Sequence, residues 1–261
     1  MIEGCGSDCV PTSVDKDRAR TFSAAGPMVN AVLERLYHAN AVEHRDGKRR
    51  RLCPPGITVE KGEYLFRLVR ELRPELTLEI GFAYGVSTLF LAEALRQNGH
   101  GHHIVIDPNQ GRSFDNLGLR HLEEAGLRRW VTFYEEPSDL CLPRLVSEGV
   151  RLDFAFNDSG HLFDHVVTEF VFLARLLRRG APLVFDDPGL PGVQRACRFI
   201  ATNRRDFTEI VDEPPSGFFR RLFDRNAIPP PPRNARGKPL FRTFAKTLDE
   251  DPRDWSDFTE F

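Results

Sequence analysis

The stretch Leu78-Glu79-Ile80-Gly81-Phe82-Ala83-Tyr84-Gly85-Val86-Ser87-Thr88 joins a short apolar run to the start of an amphipathic segment through a turn bracketed by two glycines. A glycine directly after a buried strand, and another just before a helix, allow tight turning. They also let a ligand approach the backbone over the helix N-terminus. A plain structural turn would use the same residues, so the reading depends on what lies to either side.

Upstream, Thr58 is placed to cap a helix in which Tyr64, Leu65, Leu68, Val69 and Leu72 keep helical spacing, and Pro74 stops it. Downstream, short apolar runs at 76–80, 103–106, 130–134, 152–156 and 183–185 alternate with amphipathic stretches at 87–97, 112–125, 140–147, 163–177 and 192–203. Runs such as LDFAF and PLVF are apolar on both faces, as strands are when helices cover a parallel sheet on each side. The predicted class is α/β, a doubly wound and mostly parallel sheet. Two further β-like runs, 207–211 and 218–223, are separated by DEPPSG. A parallel crossover needs about a dozen residues or more, so these runs are expected to pair antiparallel at the sheet's end, completing seven strands.

Around this core, residues 1–55 read as an N-terminal helical extension or lid, 56–224 as the α/β domain, and 225–261 as a Pro-rich linker and C-terminal arm. Residues 27–44 have the periodicity of one amphipathic helix, whose apolar stripe packs either on its own domain or on a second subunit in a homodimer. The basic run Lys48-Arg49-Arg50-Arg51 reads as a solvated connection. Hydrophobic residues make up 41% and charged residues 28%, which excludes wholesale disorder. A net charge of -2 gives no global pull toward nucleic acid or an acidic membrane. Cys5, Cys9, Cys53, Cys141 and Cys197 form no C-x-x-C pair, and the chain has neither a secretory signal pattern nor an apolar run of membrane-spanning length. A soluble, cytoplasmic protein with reduced thiols is expected.

Asp107 closes HIVID, 22 residues after Gly85, where a doubly wound fold places an acid that accepts hydrogen bonds from an adenosine ribose. A simple turn Asp before Pro108 is the alternative. Together the two features favour an adenosine-containing ligand, and the absent G-x-G-x-x-G disfavours a nicotinamide dinucleotide. Asp158 follows the fourth strand and Asp186-Asp187 the fifth, so three carboxylates should converge beside the glycine turn. Such charges raise each other's pKa unless a cation neutralises them, and an all-oxygen set suits Mg²⁺ or Ca²⁺. Otherwise Asp158 caps the next helix and Asp187-Pro188 merely turns the chain. His161, three residues after Asp158, suits proton transfer near neutrality, with a backbone hydrogen bond as the competing role. His100, His102 and His103 read as surface residues of a Gly-rich loop.

LEIGFAYGVST, the second strand ending in Asp107, FNDSGH and FDDPGLPGV, in that order, make the chain resemble class I S-adenosylmethionine-dependent methyltransferases. The likeness extends to bacterial metal-dependent small-molecule O-methyltransferases, spans about residues 56–223, and includes the lead-in helix ITVEKGEYLFRLVRELRP. It implies the seven-stranded Rossmann-like methyltransferase fold and S-adenosyl-L-methionine as cofactor. Glu79, Gly81 and Gly85 would shape the pocket for its methionine part, with Ala83 in place of the middle glycine. Ser87 would lie near the carboxylate, Asp107 on the ribose, and Asp158 at the cofactor as well. It also implies Asp158, Asp186 and Asp187 as ligands of Mg²⁺ or another divalent cation, and His161 and Asp158 as catalytic residues. Ser159-Gly160 departs from the Gly-Asp that usually precedes the histidine.

Methyl transfer to oxygen is an in-line displacement, so a protein catalyses it by positioning the partners and raising the fraction of alkoxide or phenolate. A divalent ion would do the latter by polarising hydroxyls, which makes vicinal hydroxyls of a sugar or catechol the expected acceptor. The alternatives are a metal-independent methyltransferase with His161 as base, and a non-catalytic binding protein retaining the fold.

Overall fold

The computed structural model describes residues 29–54, 56–211 and 228–261. Helix α1 (Ala31–Ala39) begins at Asn30, whose side chain accepts a hydrogen bond from the Val32 backbone N–H, and stops at Asn40 in the left-handed conformation. The single helix expected over 27–44 therefore ends early. Asn tolerates the left-handed C-cap, and the chain after it pairs β1 (Ala41–Glu43) antiparallel with β2 (Arg49–Arg51). The basic run forms an exposed strand of this small hairpin.

Helix α2 (Val59–Leu72) is capped by Thr58, as the sequence predicts, and leads into β3 (Leu76–Ile80). There follow α3 (Val86–Asn98), β4 (His102–Ile106), the short α4 (Gln110–Ser113), α5 (Leu117–Glu124), β5 (Val131–Tyr134) and α6 (Ser138–Ser147). The chain continues through β6 (Phe154–Asn157), α7 (Phe163–Leu176), β7 (Pro182–Phe185), α8 (Pro191–Asn203), β8 (Phe207–Ile210) and β9 (Arg242–Lys246). The seven strands β3 to β9 form one sheet in the order β5-β4-β3-β6-β7-β9-β8. The first five are parallel, and β9 runs antiparallel to both its neighbours. This is the doubly wound class I methyltransferase fold.

Strand alternation divides the core in two. Phe154, Phe156 and Val184 face α2 and α3 in one cluster, while Ala155, Leu183 and Phe185 face α6, α7 and α8 in the other. That is why these runs carry no polar face. The close approach of α2 to α3 depends on Gly62, where a Cβ would fall 2.1 Å from the Phe90 ring. Among the described residues no helix is long and apolar enough to cross a membrane.

The antiparallel partner of β8 is β9, from the segment read as a linker and arm. The run 218–223 lies outside the described residues. Far from trailing, the described part of the tail inserts its strand between β7 and β8, with Phe241 and Phe244 fully buried. Pro229 contributes through its carbonyl, which accepts a 2.9 Å hydrogen bond from the Tyr64 hydroxyl.

Candidate active site

Strand order reverses at β3, whose neighbours β4 and β6 take the chain in opposite directions, and in such sheets the crevice opens at the carboxyl ends of the strands. Here it is a cavity of ≈ 1340 Å³, lined among others by Gly81, Ala83, Ser87, Asp107, Asp158, His161, Asp186 and Asp187. Residues from four separate strand ends thus meet in one space.

The loop after β3 is held in place by β4. Asp107 Oδ2 accepts hydrogen bonds from the backbone N–H groups of Phe82 (2.9 Å) and Ala83 (3.0 Å), and Oδ1 accepts one from Asn109 (2.7 Å). These bonds keep Ala83 at φ 45°, a left-handed conformation that costs a non-glycine residue about 1–2 kcal/mol. Gly81, at φ 98°, has no alternative, because a Cβ there would lie 2.1 Å from the Asp158 carbonyl oxygen. Past the loop, α3 starts at Gly85 without a side-chain cap. Its first N–H groups and the positive end of its dipole are therefore available to an anion in the cavity, whose wall includes Val86 and Ser87.

Glu79 lies one layer beneath this surface. Fully buried and absent from the cavity wall, it accepts a 2.5 Å hydrogen bond from Thr88 Oγ1 and faces His103 Nε2 at 3.2 Å. The sequence reading that put His103 at the surface is corrected: it occupies an inward position of β4 with no exposure, and its Nδ1 is 2.7 Å from Thr77 Oγ1. Its alternation with Val105 was the available signal. His100, by contrast, stands at the surface and pairs with Arg73. The N-terminal hairpin reaches the same loop through His44, whose Nε2 lies 3.0 Å from the Tyr84 hydroxyl and whose Nδ1 lies 2.8 Å from Asp115 Oδ2.

The acids converge as expected. His161, itself left-handed at φ 58°, places Nε2 3.3 Å from Asp158 Oδ1 and 3.9 Å from Asp187 Oδ2. Burial raises the pKa of Asp158 against the opposing hydrogen bond from His161, and that same hydrogen bond holds the His161 pKa above its ordinary value. Burial, then the charge of Asp158, pushes Asp186 up to about 7.

Lys61, in the first turn of α2, was not foreseen. Its Nζ donates to Asp186 Oδ1 and, at 2.9 Å, to Asp187 Oδ1, and it sits 5.5 Å from the centroid of the Phe241 ring. Burial alone would lower its pKa, but the charge and hydrogen bond of Asp186, joined by Asp187, leave it raised. A divalent ion would have to share these oxygens with the ammonium. At about 4 Å separation and an effective dielectric constant of about 20, the repulsion is roughly 8 kcal/mol. Among the described residues no group of three or more His, Cys, Asp or Glu side chains is placed to hold a metal ion. With Lys61 in this position the acid set does not fit the divalent cation expected from the sequence.

A family model described as a methyltransferase domain matches residues 78–188, the stretch from the glycine loop through Asp187. The match covers less than half of the chain, and over that stretch the chain is similar to methyltransferase domains. Rhamnosyl O-methyltransferase of Mycobacterium tuberculosis is 30% identical over 130 residues, covering 48% of this chain and 50% of that protein. An Arabidopsis thaliana protein provisionally named a caffeoyl-CoA O-methyltransferase is 29% identical over 165 residues, 63% of this chain and 66% of its own length. The chain thus matches from half to just under two thirds of these relatives. The O-methyltransferase TomG of Streptomyces achromogenes, solved with S-adenosylmethionine, superimposes with a TM-score of 0.61 at 24% identity, over 84% of this chain and 91% of TomG.

Besides Lys61, the cavity wall carries His165, Thr168, Gln194, Lys238 and Arg242. Lys238 and Arg242 come from the tail, and Arg242 is fixed there by its pairing with Glu209 on β8. No local motif marked them, since only the insertion of β9 brings them to the strand ends.

Proposed function

We propose that the protein transfers the methyl group of S-adenosyl-L-methionine to a hydroxyl oxygen of a small molecule, sugar or catechol-like, with His161 taking the proton. One observation carries this reading. The His161–Asp158 pair lines the same cavity as the uncapped N-terminus of α3 and the Asp107-anchored loop. A cofactor site and a proton acceptor therefore share one space. The names of two relatives, a rhamnosyl and a caffeoyl-CoA O-methyltransferase, point to the same acceptor classes.

The residues divide the work. The loop from Gly81 to Gly85 and the first turn of α3 at Ser87 receive the methionine part, with its carboxylate at the positive helix end, while Glu79 holds Thr88 of that turn from below. Asp107 keeps one unused lone pair, on Oδ1, for a ribose hydroxyl while it holds the loop. Asp158 receives one imidazole N–H of His161, leaving the second nitrogen to accept the acceptor's proton. The oxygen attacks the methyl carbon as the carbon–sulfur bond breaks, its electron pair staying on sulfur. S-adenosylhomocysteine, a methyl ether and an imidazolium result. The N-terminal extension acts as a lid through Cys53 and Pro54, and the C-terminal segment completes the acceptor side through Lys238 and Arg242.

Calorimetry with S-adenosylmethionine and S-adenosylhomocysteine, followed by mass spectrometry of a panel of sugars and catechols, tests the reading. Binding of both nucleosides and one methylated product are expected. His161→Ala should lower turnover about 100-fold or more while S-adenosylhomocysteine affinity stays within about twofold. No detectable nucleoside binding would overturn the assignment.

A further inference from the structure

We propose that Lys61 is the resident cation of this site, its ammonium standing where a divalent ion would otherwise bridge Asp186 and Asp187, so that methyl transfer proceeds without a metal. The inference rests on the methyltransferase reading and adds to it the cation that bridges the paired acids.

Three features hold the ammonium there. Asp186 and Asp187 accept two of its N–H groups, and the face of Phe241, a fully buried ring of the inserted tail, lies against it. The Lys61 side chain is only 11% exposed, so it is not a solvent-facing lysine that folded over by chance. Its backbone is fixed as well: Thr58 caps the turn, and the next residue, Gly62, packs directly on Phe90 of α3. Asp186 is committed in turn, its Oδ1 also accepting the Asp187 backbone N–H at 2.7 Å.

The chemistry is complete without another cation. His161 hydrogen-bonds Asp158, and Lys61 bridges Asp186 and Asp187 and offsets one of their charges. An ammonium has three N–H groups, so one remains for the acceptor oxygen, on the cavity wall that Lys61 shares with His161. That hydrogen bond stabilises the developing alkoxide or phenolate while His161 takes its proton. Lys61 would thereby perform the orienting and charge-stabilising task of a bound ion, as a fixed part of α2.

The test uses the full chain, dialysed against EDTA and titrated with Mn²⁺ alone while free ion is followed by electron paramagnetic resonance. The wild type should bind no Mn²⁺ below about 1 mM, Lys61→Arg should behave likewise, and Lys61→Gln should bind at least about tenfold more tightly, because removing the charge leaves an all-oxygen set. Lys61→Ala replaces Lys61→Gln if the latter does not fold. One Mn²⁺ per wild-type chain at micromolar affinity would overturn the proposal, as would a neutral variant that binds no better than wild type. S-adenosylhomocysteine calorimetry on the same EDTA-treated samples separates the two readings. Loss of nucleoside binding in the wild type would refute the methyltransferase assignment, whereas the Mn²⁺ titration alone judges Lys61.

Discussion

Asp107 Oδ2 lies 3.0 Å from the backbone nitrogen of Ala83, so a carboxylate at the end of one strand determines the shape of the loop that leaves its neighbour. The same group also accepts from Phe82 and Asn109, and it is only 5% exposed. Asp107→Ala should therefore weaken S-adenosylhomocysteine binding by at least about tenfold and cost about 1–3 kcal/mol of stability, since buried N–H groups lose their acceptor. Calorimetry and denaturant unfolding check the two effects. A variant that loses ribose contacts but keeps its full stability would show that the loop does not need the clamp.

At the α2–α3 crossing, Gly62→Ala would place a methyl group 2.1–2.6 Å from ring atoms of Phe90. Overpacking of this kind costs roughly 1–3 kcal/mol, and the melting temperature should fall accordingly. Phe90→Leu in the same chain should recover part of the loss, giving a non-zero coupling in a double-mutant cycle. Additive effects would contradict direct packing at this point.

The hydrogen bond between His161 and Asp158 sets a pH dependence with a definite sign. The folded-state pKa of His161 is raised, chiefly by that bond and then, against burial, by the charge of Asp158. Its stabilising contribution is therefore full below the unfolded histidine value of about 6.5 and is lost as pH rises through the folded pKa. Imidazole titration by nuclear magnetic resonance should give a His161 pKa above that of an ordinary histidine, and Asp158→Asn should lower it. For turnover, the limb that reports deprotonation of the base should move to lower pH in Asp158→Asn, with a smaller maximal rate.

Burial pushes the thiols of Cys141 and Cys197 up to about 12. At pH 8 only about one in 10,000 of each would be thiolate, the form that reacts. Mass-spectrometric mapping after brief iodoacetamide treatment should find both peptides unmodified in the folded chain and labelled in denaturant. Rapid labelling of either in the native protein would contradict the packing of α6 or α8.

Much of the architecture was legible. The alternation of doubly apolar runs with amphipathic stretches reflects strands covered on both faces, and β3, β4, β6 and β7 lie within a few residues of their expected positions. Convergence of Asp107, Asp158, Asp186 and Asp187 followed, because parallel strands deliver their carboxyl ends to one edge. Periodicity alone extends the first helix too far, because Ala41-Val42-Glu43 does not interrupt it, although Asn40 ends the helix and the hairpin takes over. The seventh strand was missed in RTFAK, where five residues with a charge at each end follow a proline run.

Local periodicity, turn chemistry and strand-end acids thus sufficed to establish a doubly wound α/β chain with a glycine loop opposite a carboxylate cluster, since each depends on residues close together in sequence. Tertiary structure alone decided the partner of that cluster. Lys61 meets Asp186 across 125 positions, and Phe241 reaches the pair only because β9 inserts beside β7. Contacts at such separations are created by packing, when two helices close on a glycine and a tail completes a sheet, and they leave no mark in any single segment.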